Sequence, residues 1–184
     1  MKITNFTNYG NLYSTYVNPN IEKLLVLGCG DLRHEMYLGA KHIFGVDWAD
    51  EKLNIAKEFQ NTTVIKFDIN NICQILLDKS FDAVALFDIV EHLTKDDALK
   101  LLKDLEEKIK NQIIIFIPIE KTLNNFAERM KLQEERKSNN LPMGCHLSIW
   151  TPSELDDLGY VGEYSPKFHK EKKMGAVFCV KNLL

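Results

Sequence analysis

The sequence predicts a layered α/β fold built on a mostly parallel sheet. Two observations carry this. Five short runs rich in β-branched and other apolar residues recur along the chain: Lys23–Gly28, His42–Asp47, Thr63–Asp68, Asp82–Asp88 and Ile113–Pro118. Each is nearly continuous rather than alternating, as expected of strands covered on both faces. Helical patterns fill the intervals, and strands alternating with helices give a sheet with helices on its faces. Four of the five runs end in Gly or Asp. That marks one sheet edge, the carboxyl ends of the strands, as the place where such folds bind ligands.

The helices follow from local signals. Ala49–Gln60 and Asn71–Ser80 read as short helices. Thr94 and Asp97 form an S/T-x-x-D start, after which Ala98, Leu101, Leu102, Leu105 and Ile109 make one apolar stripe. Thr151, Pro152 and Glu154 combine an N-cap, a proline at N1 and a glutamate at N3, and Gly159 stops that helix after Leu158. Ala176–Val180 is a further strand, with a weaker partner around Tyr160–Tyr164. The interval Ile119–Ile149 lacks a strand pattern. Its first part, KTLNNFAERMKLQEERK, is helical and charged, and SNNLPMG is a loop. We read residues 1–184 as one domain with a helical cap at about 119–149 over the sheet edge, the plainer reading of that helix being a solvated surface element.

Composition narrows the function. The 184 residues are 45% hydrophobic and 27% charged, a globular balance. The net charge of −3 argues against a duplex DNA binder, which carries a basic face. No apolar run reaches the roughly 20 residues of a membrane span. The first residues have no apolar core of the signal-peptide kind. Cys29, Cys73, Cys145 and Cys179 form no C-x-x-C pair, so neither a zinc site nor a disulfide framework is indicated and a reducing cytoplasm is expected.

Three features carry chemistry. The first is Leu24–Leu27 running into Gly28-Cys29-Gly30, a strand entering G-x-G with a helix expected next. Glycines there let backbone approach a ligand, and the helix start would offer free N–H groups. The second is Asp47, 17 residues after Gly30 and at the end of the next strand. An acid at this spacing accepts hydrogen bonds from both hydroxyls of an adenosine ribose. The plainer reading is a loop aspartate capping the following helix. The third is Asp68, ending the third strand. It suits an adenine amine, with Ile69 against the ring, and equally suits a cap shared with Asn70 and Asn71. A dinucleotide fold wants a third glycine where Arg33 stands, and the P-loop pattern is absent, so adenosine without phosphate fits best.

In this order and spacing, LLVLGCGD, IFGVDWADEKLNIAK, VIKFDIN, FDAVALFDIVEHL and IIIFIP resemble the class I S-adenosylmethionine-dependent methyltransferases. HLSIWTPSELDDLGY also resembles a segment of small bacterial members, some associated with glycan biosynthesis. The resemblance implies a three-layer, Rossmann-like, seven-stranded sheet ordered 3-2-1-4-5-7-6, its seventh strand antiparallel and formed by AVFCV. It implies that Gly28, Cys29 and Gly30 line the methionine part of the cofactor through their backbone. Asp47 would hold the ribose and Trp48 would lie beside the adenine. Asp68 and Ile69 would meet the adenine edge and face, with Phe87 and Asp88 near the sulfonium. The chain departs from the family pattern at two places: an acid is common where Val26 stands, and a glycine where Leu32 stands. Asp31 or Asp88 are the candidates to replace that acid.

The function expected is methyl transfer to a small-molecule or glycan-type acceptor, directed to a hydroxyl or carboxyl oxygen. A hydroxyl acceptor calls for a general base, and His92, His146 and Glu91 are the candidates. The plainer readings are a histidine hydrogen-bonded to backbone for His92 and a loop histidine packed on Trp150 for His146. A nucleic-acid acceptor is disfavoured, since Asp88-Ile89-Val90-Glu91 replaces the D/N-P-P-Y of many amino-group methylators. The alternatives are a non-catalytic adenosyl-binding or scaffold module and, less favoured, an NAD-dependent oxidoreductase. Tyr9, Tyr13 and Tyr16 either fold over the cofactor or cover the sheet.

Overall fold

The computed structural model describes residues 1–120, 122–141, 144–169 and 174–183. Its strands are β1 (Lys2–Ile3), β2 (Lys23–Leu27), β3 (His42–Asp47), β4 (Thr62–Lys66), β5 (Phe81–Phe87), β6 (Ile109–Ile119), β7 (Val161–His169) and β8 (Met174–Asn182). They form one sheet in the order β1-β7-β8-β6-β5-β2-β3-β4. It is eight-stranded, which corrects the seven-stranded expectation. The addition is β1, which pairs in parallel with β7 through Lys2 and Ile3. Two residues carry no periodicity, so a strand of this length leaves no sequence pattern. Among the described residues, β8 alone runs against its neighbours, β6 and β7.

The central strands are buried on both faces, which is why their sequences do not alternate. Leu25, Leu27, Val84, Leu86, Ile113 and Ile115 face one core with Ala98, Leu101, Leu102 and Leu105 of helix α3 (Lys95–Lys108). Their neighbours Leu24, Val26, Ala83, Ala85 and Ile114 face the other. That second core includes Leu12 of α1 (Gly10–Tyr16) and Leu53 and Ala56 of α2 (Asp50–Ala56). Helix α5 (Pro152–Asp157) joins the first layer through Leu155, and α4 (Phe126–Ser138) crosses the carboxyl edge. Burying each leucine of the α3 stripe contributes roughly 1.5–3 kcal/mol.

The start signals act as read. Thr94 Oγ1 accepts from Asp97 N at 3.2 Å, and Thr151 and Glu154 form a complete capping box. Other helical expectations are corrected. Ile109 ends the helical stripe and opens β6 in extended conformation. Asn71–Ser80 is no α-helix; Ile69–Gln74 makes a 3-10 turn started by the Asp68 cap. Ala49–Gln60 shortens to Asp50–Ala56. The cap helix starts at Phe126, because Ile119 still belongs to β6. Within the expected cap, Lys121, Pro142 and Met143 lie outside the described residues. No helix among the described residues is long and apolar enough to cross a membrane.

Candidate functional site

Parallel pairing brings the ends of β2, β3, β4 and β5 to one edge. Leaving β2, Gly28 and Gly30 adopt φ of 65° and 49°. A Cβ on Gly28 would overlap Ile89 Cδ1, so this glycine is required by the close approach of the loop after β5. A Cβ on Gly30 would meet nothing within 4 Å and would project into open space. The helix expected after the motif is absent. Leu32 continues the turn at φ 59°, and Glu35–Leu38 makes only a 3-10 turn. Leu32 stands where the resembling family carries glycine, and the left-handed conformation that glycine would favour is kept. A non-glycine residue there costs roughly 1–2 kcal/mol, offset by full burial of the leucine side chain.

Asp47 ties the edge together. Its Oδ2 accepts from Gly30 N at 2.9 Å, and its Oδ1 accepts from Trp48 N at 2.7 Å and Ala49 N at 3.0 Å. A carboxylate offers about four lone-pair sites, so three backbone bonds leave it capacity for a ligand hydroxyl. Trp48 Nε1 donates to Leu141 O at 2.7 Å. Asp68 takes the cap role: Oδ1 accepts from Asn70 N at 3.1 Å, and Oδ2 pairs with Lys137 at 2.6 Å.

Between these loops lies a cleft of about 450 Å³, within the range that holds small-molecule ligands. Gly28, Gly30, Asp47, Trp48, Ile69, Phe87 and Asp88 line it, as does His92. Cys29 and Asp68 do not; the Cys29 thiol packs under Gly45. Lys52, Phe67 and Ile89 also line the cleft and were not singled out from sequence. The spacing of Lys52, one turn into the helix after Asp47, was the available signal. It reaches Asp31, at 3.4 Å, which also pairs with Arg33 at 3.1 Å.

The N-terminal tyrosines cover the sheet. Tyr9 packs on Phe116 and Phe87, with centroids 4.3 and 5.6 Å away, and Tyr13 packs on Phe178 at 5.7 Å. Burial pushes both phenols well above their ordinary range. Glu35 is buried nearby, and desolvation pushes its carboxyl up to about 7. Backbone N–H groups of Glu35 and His34 oppose this, while the carboxylates of Asp88 and Asp31 add to it. Sequence reasoning missed Glu35, since no motif marks a lone acid in a turn.

The third part of the site joins residues far apart in sequence. Glu91 and His92 lie in the 3-10 turn Val90–His92 after β5. The segment Cys145–Trp150 is stitched to that turn. Leu147 N and Ser148 N donate to Glu91 O at 2.7 and 3.1 Å, Ser148 Oγ donates to Val90 O at 3.1 Å, and Trp150 Nε1 donates to Ser148 Oγ at 2.9 Å. His92 Nδ1 bonds Cys145 O at 2.9 Å, and the His92 and His146 rings meet edge to face at 4.9 Å. Burial pushes His92 down to about 4 against the pull of the Cys145 carbonyl, so the ring is neutral. His146 Nδ1 lies 2.9 Å from Glu120 Oε1. All three expected base candidates therefore share one place, and His92 connects it to the cleft.

Residues 25–117 match the family described as methyltransferase domain, just over half of the chain. The chain belongs to the class I S-adenosylmethionine-dependent methyltransferases. Among curated methyltransferases, one named ribosomal protein L11 methyltransferase from Lactobacillus gasseri is 35% identical over 116 residues, covering 54% of this chain and 34% of that one. The chain thus spans about a third of the length of the curated relatives it matches. A solved protein from Pyrococcus horikoshii superposes with a TM-score of 0.66 at 20% identity, covering 96% and 88% of the two chains. A SAM-dependent methyltransferase from Archaeoglobus fulgidus superposes at 0.59 with 18% identity, covering 93% and 90%. At these identities the likeness is one of fold.

Proposed function

We propose that this methyltransferase acts on a hydroxyl oxygen of a small-molecule or glycan-type acceptor, in the cytoplasm, with residues 119–149 serving as a cap on a single catalytic domain. The observation that supports the oxygen reading is His92, which lines the cleft and is backed by Glu91 and His146, neither of which lines it. A hydroxyl must lose its proton, whereas an amine already unprotonated needs no such group.

When bound, S-adenosylmethionine supplies a methyl group on a positively charged sulfur. The chain's residues fit its parts. Asp47 has acceptor capacity for ribose hydroxyls, and Trp48, Phe67 and Ile69 offer apolar faces for an adenine. Gly30 has no Cβ to crowd the cleft, and Phe87 and Asp88, at the end of β5, would lie near the methyl. Fixing an acceptor within reach supplies much of the acceleration in such transfers. Cap residues help to close the site: Lys137 of α4, and Asn140 and Leu141 just beyond it, bond Asp68, Asp50 and Trp48, which follow the ends of β4 and β3.

Release of S-adenosylhomocysteine, followed while hydroxyl-bearing small molecules, sugars, amines and ribosomal protein are offered in turn, tests the proposal. Turnover with hydroxyl compounds and calorimetric micromolar binding of S-adenosylhomocysteine are expected. The relative's name favours a second reading, a protein acceptor; turnover confined to ribosomal protein or amines would replace the first. Cofactor binding without any turnover would make the chain a binding module.

A further inference from the structure

We propose that Glu91, His92 and His146 form a binding site for a divalent first-row transition-metal ion beside the cleft, which His92 lines. The inference deepens the oxygen-directed reading and rests on it for what the metal would hold. Glu91 is only 1% exposed, and neither carboxylate oxygen has a hydrogen-bond partner among the described residues. Leaving a buried carboxylate without partners is costly, so such a group either holds a proton or coordinates a metal. Its Oε1 faces His92 Nε2 at 3.8 Å, too long for a hydrogen bond.

The tautomers suit coordination. A carbonyl oxygen only accepts, so the His92 bond to Cys145 O places the proton on Nδ1 and the lone pair on Nε2, toward Glu91. The His146 bond to Glu120 places a proton on Nδ1, and coordination would use the other ring nitrogen. A carboxylate or carbonyl behind each ligating histidine is the usual outer shell of a metal site. One ligand atom from each of the three residues lies within 4.8 Å of the others. Metal bonds of about 2.1 Å would draw them to roughly 3–3.5 Å apart, a closure of about 1 Å. Two imidazoles and one carboxylate suit zinc, iron or manganese rather than magnesium, and three protein ligands leave positions open for an acceptor oxygen. Cysteine spacing could not reveal this site, because its ligands are one carboxylate and two histidines more than fifty residues apart.

The test uses the full chain, untagged and stripped with chelator, titrated separately with cobalt(II), zinc(II) and manganese(II). One equivalent is expected to bind, with visible d–d absorption for cobalt. Glu91→Gln and His146→Ala should each weaken uptake at least ten-fold, and Glu120→Gln roughly ten- to a hundred-fold. S-adenosylhomocysteine affinity confirms that each variant is folded. Absence of saturable uptake, or uptake unchanged in Glu91→Gln, would overturn the site. Metal uptake with no turnover of any hydroxyl compound would leave the site standing and remove the oxygen reading. Hydroxyl turnover undiminished in chelator, together with no saturable uptake, would leave the oxygen reading standing and remove the site.

Discussion

The backbone N–H of Gly30 donates to Oδ2 of Asp47 across 2.9 Å, joining the turn that leaves β2 to the acid that ends β3. The ribose-binding and loop-capping readings of Asp47 are therefore compatible: the carboxylate fixes the glycine turn while keeping acceptor capacity. Asp47→Ala should lose both roles and weaken S-adenosylhomocysteine binding by about 1–3 kcal/mol, the scale of leaving polar partners unpaired. Asp47→Asn keeps a carbonyl oxygen and should lose less. Calorimetry on both variants decides, and an alanine variant that binds like the parent removes Asp47 from the site.

The two motif glycines should fail differently. Gly28→Ala drives a methyl into Ile89 in a left-handed conformation and should lower thermal stability markedly. Gly30→Ala has room, so its folding cost should stay near the roughly 1–2 kcal/mol of left-handed strain. Its new methyl enters the cleft, so cofactor affinity should fall by more than stability does. Thermal melts beside calorimetry separate the two, and equal losses of stability would contradict this account.

The sheet was legible because its central strands are buried on both faces, and burial writes itself as apolar runs. Asp47 and the G-x-G turn were legible because strand order fixes their spacing. The missing helix after Gly30 was not, since Leu32 sits in a conformation its side chain disfavours and only surrounding packing sustains it. The companionship of Glu91, His92 and His146 was not legible either. Backbone hydrogen bonds from Leu147 and Ser148 create it, and these leave no residue-type signature.

The contacts at the end of α4 should control cofactor exchange. Lys137 pairs with Asp68 at 2.6 Å, and Asn140 donates to Asp50 at 2.8 Å. Both are exposed, where such pairs are worth about 0–1 kcal/mol. The double variant Lys137→Ala, Asn140→Ala should melt like the parent yet release S-adenosylhomocysteine roughly 2–5-fold faster. Rising salt should bring the parent's rate toward the variant's. Stopped-flow release rates that match at low salt would show that α4 does not restrain the cleft.

Glu35 should set part of the stability profile near neutral pH. Its folded carboxyl is raised to about 7 from an ordinary value of 4.5, chiefly by burial. The folded state therefore holds this proton more tightly than the unfolded chain does. Its contribution is complete below about pH 4.5 and is lost as pH rises through about 7, a change of at most about 3 kcal/mol. His92, lowered to about 4 from 6.5, acts in the opposite direction: stability rises with pH between those values. Comparing variant with parent isolates the acid. Relative to the parent, Glu35→Gln should gain thermal stability steadily from pH 4.5 to 7.5, while His92 contributes equally to both curves. Melting temperatures across that range measure it, and two curves running parallel would assign the titration to another group.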